Sequence, residues 1–331
     1  METPMRVTVT GAAGQIAYCF LPLLLRGEVF GSRQPIELVL LDVEEALSTL
    51  RGVMMELEDG AYPLLTSIHY TNNVSEAFVE SDVAVLLGAF PRKLGMERRD
   101  LLQKNAVIFK EQGEAINKHA KRSVRILVIG NPANTNAAVL AHFASDIDKK
   151  QITALSRLDQ NRATSFIAKK LKVSPEDVKN IFVWGNHSNT QYPDLFNGVT
   201  DGGPLPDWLQ DETFLRNEFI PTIQERGAAV IKARKLSSAM SAAKAVVDHL
   251  RDWFIGTQDI VNMIVCADGS YGIKKGIFFS FPCYCYGNGS FEIVPHFPWT
   301  PFGDPYIEKT KKELNAEWEQ AFAALLPKSS L

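Results

Sequence analysis

Three short segments carry side chains whose types and spacing suit proton transfer on an anionic substrate. Ile181-Phe182-Val183-Trp184-Gly185-Asn186-His187-Ser188-Asn189 runs four strand-type apolar residues into Gly-Asn and delivers a histidine into polar, turn-prone company. His187 is the kind of side chain that takes and returns a proton near neutral pH without large retuning. A lone histidine is more often a residue satisfied by a neighbour, so the weight rests on the other two segments. Arg157-Leu158-Asp159-Gln160-Asn161-Arg162 supplies Asp159, a carboxylate able to orient an imidazole and stabilise its cation. Arg162 follows three residues on, which puts both side chains on one face of a helix. Pro91-Arg92-Lys93-Leu94-Gly95-Met96-Glu97-Arg98 supplies Arg92 and Arg98, six apart in a loop whose Pro91 and Gly95 suit a mobile lid. Three guanidinium groups point to an anionic substrate. A dicarboxylate needs two cationic clamps and a monocarboxylate one, and an unpaired cation in a closed pocket would cost roughly 3 kcal/mol or more. The bland alternative for this loop is a solvated basic stretch, since Lys93 and Arg99 lie alongside.

The elements that must position these groups read as strand–helix alternation. Met5 to Thr10 alternates and is rich in valine and threonine, as a buried strand requires. It runs directly into Gly11-Ala12-Ala13-Gly14-Gln15-Ile16-Ala17 and a helical pattern from Ile16 to Leu25. Strand, glycine turn and helix form the context in which a backbone approaches a pyrophosphate and a helix N-terminus offers N–H groups. The spacing is G-x-x-G-x-x-A, and a plain tight turn would also use glycine. The next strand, Ile36 to Leu41, ends on Asp42, which can accept both ribose hydroxyls of NAD and would repel the 2′-phosphate of NADP. The competing role for Asp42 is capping the following helix. Ala46 to Leu57 has helical spacing, and the strand Val83 to Leu87 opens through Gly88 into the arginine loop. A helix from Asp100 to Lys118 carries Asn105 and Gln112 on one polar side. The strand Val124 to Ile129 ends in Gly130-Asn131-Pro132, with Asn131-Pro132 a candidate cis peptide. This makes three strand–helix units and part of a fourth, predicting an α/β Rossmann-type doubly wound parallel sheet. Ligands bind at the C-terminal ends of such strands, where Gly11, Asp42, Gly88 and Gly130 all fall.

Beyond about residue 150 the texture changes, and two domains are expected, 1–154 for NAD and 155–331 as an α+β substrate and catalytic domain. Ser156 to Leu171 reads as a helix. A helical stretch from Asp211 to Ala245, broken near Lys235-Leu236-Ser237, precedes strands at Ile260 to Cys266 and Phe278 to Tyr286 and a last helix, Ile307 to Leu326. Apolar residues make up 46% of the 331, enough for a large core. Charge is nearly balanced, 35 basic against 38 acidic residues, which argues against nucleic acid or a membrane surface as partner. No signal or transit leader is read at the N-terminus, and Cys19, Cys266, Cys283 and Cys285 are scattered, so reduced thiols and the cytoplasm are expected. No metal site is expected, because His69, His119, His142, His249 and His296 lack ligand spacing.

The segments TGAAGQIAY, PRKLGMERRDLL, GNPANTN, LDQNRA, WGNHS and KLSSAMSAAKA together resemble malate dehydrogenase of the cytosolic type, within the lactate/malate dehydrogenase superfamily. The resemblance is near-continuous from residue 6 to about 256. It fades in the last 70 residues, where Phe297-Pro298-Trp299-Thr300-Pro301-Phe302 departs from the family. It implies interconversion of malate and oxaloacetate, with His187 and Asp159 as the acid–base pair. Arg162 then forks onto the carboxylate beside the reacting carbon, as bidentate geometry favours arginine. By the same resemblance Arg92 grips the remote carboxylate, Arg98 polarises the reacting oxygen, and Asn131 contacts substrate and places the nicotinamide. Ser241 matches the family's serine near the nicotinamide amide, its alternative being a small residue at a helix contact. The cofactor set is Gly11, Ala12, Ala13, Gly14, Gln15, Ile16, Ala17, Asp42, Gly88, Asn105, Gln112, Ile129, Gly130 and Asn131. The resemblance also implies a homodimer and a place in the tricarboxylic acid cycle and the malate–aspartate shuttle. Leu94 stands where relatives carry a polar or proline residue, which leaves lactate or another 2-hydroxy acid open. A non-catalytic dinucleotide-binding protein is the rival of another class.

Overall fold

The structure is a computed structural model and describes residues 2–90, 98–295 and 297–325, with Arg98 as backbone alone. It divides into two compact units, Met1–Ala154 with Ala316–Leu331, and Leu155–Asn315.

The first unit is built on six parallel strands: β1 (Met5–Thr10), β2 (Ile36–Leu41), β3 (Leu65–Thr71), β4 (Val83–Leu86), β5 (Arg125–Val128) and β6 (Ile152–Ala154). β1 pairs with both β2 and β4, in the register Val7 to Leu38 and Val7 to Val83. With β3 outside β2, and β5 and β6 beyond β4, the order is 3-2-1-4-5-6. That is the order of a doubly wound dinucleotide fold, whose ligand crevice opens where β1 and β4 lead away in opposite directions. The helices are α1 (Gln15–Leu25), α2 (Leu47–Asp59), the short α3 (Val74–Ala77), α4 (Arg98–His119) and α5 (Ala133–Phe143). Central strands are apolar on both faces because helices cover both, and β4 is buried throughout.

The sequence pattern undercounts this sheet. β3, Leu-Thr-Ser-Ile-His-Tyr-Thr, pairs only with β2 and is at most half-buried, so it lacks the apolar run that marks an interior strand. β6 is three residues long and offers no period to read. The unit therefore holds five strand–helix pairs and a sixth strand rather than three pairs and part of a fourth.

The second unit opens with α6 (Arg157–Leu171), followed by short strands β7 (Val178–Lys179), β8 (Phe182–Trp184), β9 (Tyr192–Asp194), β10 (Val199–Thr200) and β11 (Gly203–Pro204). Then come α7 (Glu212–Phe214), a π-helical turn Leu215–Phe219, α8 (Ile220–Arg234) and α9 (Met240–Ile255). β12 (Val261–Cys266), β13 (Phe278–Gly287) and β14 (Ser290–Ile293) form an antiparallel meander, and α10 (Asp304–Leu325) begins in this unit, its residues from Ala316 on belonging to the first. α8 ends at Lys235 in a left-handed conformation, φ 63°, close to the break read from the sequence. The helix beyond it runs ten residues past Ala245, because Val246, Val247, Leu250 and Trp253 continue its buried face.

The segment 297–302, before α10, packs through its aromatic rings. Phe297 lies against Phe182 with ring centroids 4.7 Å apart, and Trp299 stands edge-on to Trp184 at 5.6 Å. Both targets are fully buried residues of β8.

Candidate active site

β8 and α6 are brought to one place by a buried polar lattice. Asn262 of β12 is fully buried and serves as a strand partner through its side chain. Its Oδ1 accepts from the Val183 N–H at 2.9 Å and its Nδ2 donates to the Val183 carbonyl at 2.8 Å. Its own backbone N–H donates to Gln160 Oε1 at 2.8 Å, and Gln160 Nε2 donates to the Ile181 carbonyl at 3.2 Å. Gln160 neighbours Asp159 on α6, so the strand that leads to His187 is hydrogen-bonded to the helix that carries the acid. The chain then turns at Gly185, φ 96°, where a side chain would collide with Thr310. Two residues on stands His187.

His187 Nδ1 bonds Asp159 Oδ2, and Asp159 Oδ1 accepts from Arg162 Nη1 at 3.2 Å. The Asp159 side chain is 1% exposed, that of Arg162 14% and that of His187 21%, so a buried acid serves two cations nearer the surface. Burial opposes charge on Asp159, but the His187 and Arg162 cations outweigh it and hold the carboxyl below its ordinary range. Burial likewise opposes the His187 cation. The charge and hydrogen bond of Asp159 outweigh that and Arg162, so the imidazole is raised. With Nδ1 engaged by the carboxylate, proton exchange with a substrate falls to Nε2. The far end of Arg162, Nη2, donates to Ser238 Oγ at 3.1 Å. Ser238 is half-buried in the turn between α8 and α9, whereas Ser241 is exposed in the first turn of α9. The guanidinium is thus touched by Ser238, a residue that the sequence does not single out. Asp194 of β9 accepts from Trp184 Nε1 at 3.2 Å, and burial pushes its carboxyl up to about 6.

In the first unit the glycine turn and the end of β4 meet backbone to backbone. Gly11 has φ 64°, and a Cβ there would lie 2.6 Å from the Gly88 N and Cα. A Cβ on Gly130 would lie 2.9 Å from the Ala89 Cβ. Gly88 N–H donates to Thr10 Oγ1 at 3.2 Å. α1 starts on Gly14 with no capping side chain and no acid in its first turn, which leaves the positive end of the helix to a ligand anion. Asp42 Oδ2 accepts from the Ala13 N–H at 2.9 Å, so the acid that follows β2 braces the glycine turn. Ala12 and Ala17 are buried, Ala13 and Ile16 half-buried, and Gln15 exposed. A glycine cradle, an uncapped helix start and a strand-end acid fit a dinucleotide.

The remaining residues singled out from the sequence divide sharply. Asn105 is fully buried; its Oδ1 accepts from Phe90 N–H at 2.8 Å and its Nδ2 donates to the Leu101 carbonyl at 3.0 Å. It holds the segment after β4 by its backbone. Gln112 and Ile129 are buried, and Gly130 is fixed by Asn136, whose Nδ2 donates to its carbonyl at 2.8 Å. Asn131 is exposed, and its bond to Pro132 is cis. Arg92, Leu94 and the Arg98 side chain lie outside the described residues. No cluster of metal-ligand side chains occurs among the described residues.

A doubly wound sheet with a glycine cradle at its switch point, accompanied by a His–Asp–Arg group in a second unit, defines a dinucleotide-binding protein equipped for acid–base chemistry on an anion. Residues 5–153 match the lactate/malate dehydrogenase NAD binding domain, and residues 156–325 the α/β C-terminal domain of the same family. The chain belongs to the lactate/malate dehydrogenase family. It is 47% identical over 330 residues to the cytoplasmic malate dehydrogenase of Zea mays, covering 98% of this chain and 99% of that one. The crystal structure of malate dehydrogenase from Naegleria fowleri superposes with a TM-score of 0.96 at 44% identity, over 98% of this chain and 99% of that one. Lactate dehydrogenase of Trichomonas vaginalis, in complex with NADH and oxamate, gives 0.92 at 36% identity, over 97% and 99%.

Proposed function

We infer that this protein is an NAD-dependent malate dehydrogenase interconverting (S)-malate and oxaloacetate. The observation that carries the chemistry is the single buried carboxylate of Asp159, bonded to both His187 and Arg162. The named relatives support the choice of substrate, being malate dehydrogenases at nearly full coverage. NAD, when bound, supplies the acceptor for the hydride that leaves C2 of malate. As that C–H bond breaks, neutral His187 takes the hydroxyl proton on Nε2, and the cation that results is stabilised by Asp159. In the reverse direction the His187 cation returns the proton to the carbonyl oxygen of oxaloacetate. Arg162 forks onto the carboxylate beside the reacting carbon, Arg92 holds the remote one, and Arg98 polarises the reacting oxygen. Gly11 to Ala17, Gly88 and Gly130 cradle the pyrophosphate side of the cofactor. Asp42, at the end of β2, would hold the ribose hydroxyls, and its charge favours NAD over NADP. Asn131 and Ser241 serve the nicotinamide end.

On this reading residues 1–154 form the NAD domain and 155–331 the catalytic domain. The protein works in the cytoplasm as a homodimer, in the tricarboxylic acid cycle and the malate–aspartate shuttle. Among the described residues no helix is long and apolar enough to cross a membrane. The second reading, a 2-hydroxy monocarboxylate such as lactate, rests on the likeness to the Trichomonas enzyme. NADH absorbance with oxaloacetate or pyruvate decides between them. Oxaloacetate is expected to be preferred by roughly a thousandfold, and Arg92→Leu to remove that preference. Equal or better turnover of pyruvate by the parent would overturn the malate assignment.

A further inference from the structure

We propose that Glu313, on α10, is a positioning residue that fixes the turn carrying His187. This rests on the reading of His187 as the acid–base group. Residues 186–190 lie in the loop that joins β8 to β9, flanked by the Trp184–Tyr192 pair and the Gly185–Ser280 bridge, with Ser188 N–H bonded to the Asn186 carbonyl and Gln191 N–H to the Ser188 carbonyl. α10 adds side-chain bonds from outside that loop. Glu313 Oε2 accepts from Asn186 Nδ2 at 2.8 Å, from Thr190 Oγ1 at 2.6 Å, and from the Ser188 hydroxyl. These donors flank His187 at one residue before, one after and three after. Asn186 is itself 3% exposed.

One turn earlier on the same helix face, Thr310 Oγ1 accepts from the Asn186 N–H at 2.9 Å and lies 3.0 Å from Thr190 Oγ1. Its side chain fills the space that a Cβ on Gly185 would occupy. The Thr190 hydroxyl has one proton and two acceptors within reach, Glu313 Oε2 and Thr310 Oγ1, and the Thr190 N–H donates to Ser188 Oγ at 3.0 Å. Two hydroxyls and the Asn186 amide thus converge on one oxygen of Glu313. A glutamine would present one neutral oxygen to three donors, or turn its NH2 toward them.

The segment 297–302 serves the same turn. Its Phe297 and Trp299 pack on β8, the strand that enters the turn, and it leads into the helix that holds the turn's far side. The strand that enters the His187 turn and the turn itself are thus both contacted by the chain between Phe297 and Glu313.

Full-length Glu313→Gln, Glu313→Asp and Thr190→Val test this through oxaloacetate reduction with NADH and with NADH deuterated at the transferred position. NADH binding by fluorescence is measured alongside. Glu313→Gln is expected to lower kcat about tenfold or more, since misplacement of a reacting group by a fraction of an ångström is costly. The NADH Kd and oxaloacetate KM should stay within roughly twofold, and the isotope effect on kcat should rise as chemistry slows relative to product release. Glu313→Asp keeps the charge and recovers part of the loss; Thr190→Val removes one donor and falls between. Parent-like kcat and isotope effect in folded Glu313→Gln would overturn the proposal, as would equal losses in kcat, KM and NADH binding. If Glu313→Gln does not fold, Thr190→Val carries the test: a lower kcat with a raised isotope effect supports the role, and parent-like values overturn it. A parent that binds NADH but is inert toward oxaloacetate would instead overturn the acid–base reading, and the positioning role with it.

Discussion

Asp159 is the residue on which the proposed chemistry turns, because one carboxylate, 1% exposed, serves both His187 and Arg162. A buried acid left with neither partner would protonate; with both it stays ionised. The consequence for stability has two limits. The depressed Asp159 contributes above its ordinary value of 3.8, and the contribution is lost as pH falls through its lowered one. The raised His187 contributes fully below 6.5 and is lost as pH rises through its raised value. Arg162 is fixed at both ends of its fork, by Asp159 and Ser238. Arg162→Lys keeps the charge but cannot reach both, so the KM for oxaloacetate is expected to rise about thirtyfold, about 2 kcal/mol, with NADH binding little changed. Steady-state kinetics and NADH fluorescence check this; an unchanged KM would remove Arg162 from the substrate site. Asp159 and Arg162 were legible because three residues is a helical spacing and the helix is local. Ser238 was not. Which hydroxyl of Ser237, Ser238 and Ser241 faces the guanidinium depends on where α8 stops, and Lys235 sets that through a left-handed backbone.

At the scale of elements, the cradle depends on two backbones meeting with nothing between them. Gly11 sits in the left-handed region and Gly88 fills the space its Cβ would need. Gly11→Ala is therefore expected to cost about 2 kcal/mol of stability and to weaken NADH binding at least about tenfold. Thermal unfolding and fluorescence titration measure both, and a stable variant with parent-like affinity would contradict the cradle. The glycines, the strand-end Asp42 and the interior strands could be read from sequence because each is a local pattern. β3 could not, since an edge strand exposes half its side chains and shows no apolar run. Nor could the service of Asn262 as a substitute strand partner, or of Thr310 and Glu313 beneath the His187 turn. These join residues between about 80 and 125 positions apart, and no spacing rule spans that distance.

For the whole molecule, residues 5–153 match the family's NAD binding domain and residues 156–325 its C-terminal domain, and the proposed acid–base pair and Arg162 lie in the second. Family membership and the names of the relatives make malate the expected substrate. His187, raised by Asp159, is expected to carry the proton. The most direct measurement is kcat/KM for oxaloacetate reduction against pH, in the parent and in Asp159→Asn. Reduction needs the protonated imidazole, so the parent should hold its rate through pH 6.5 and lose it only above, at the raised value. Without the carboxylate, burial and Arg162 are left to lower His187. Asp159→Asn should then be slower by roughly a thousandfold and lose its remaining rate at lower pH than the parent. A variant with the parent's rate and the parent's pH break would contradict the account.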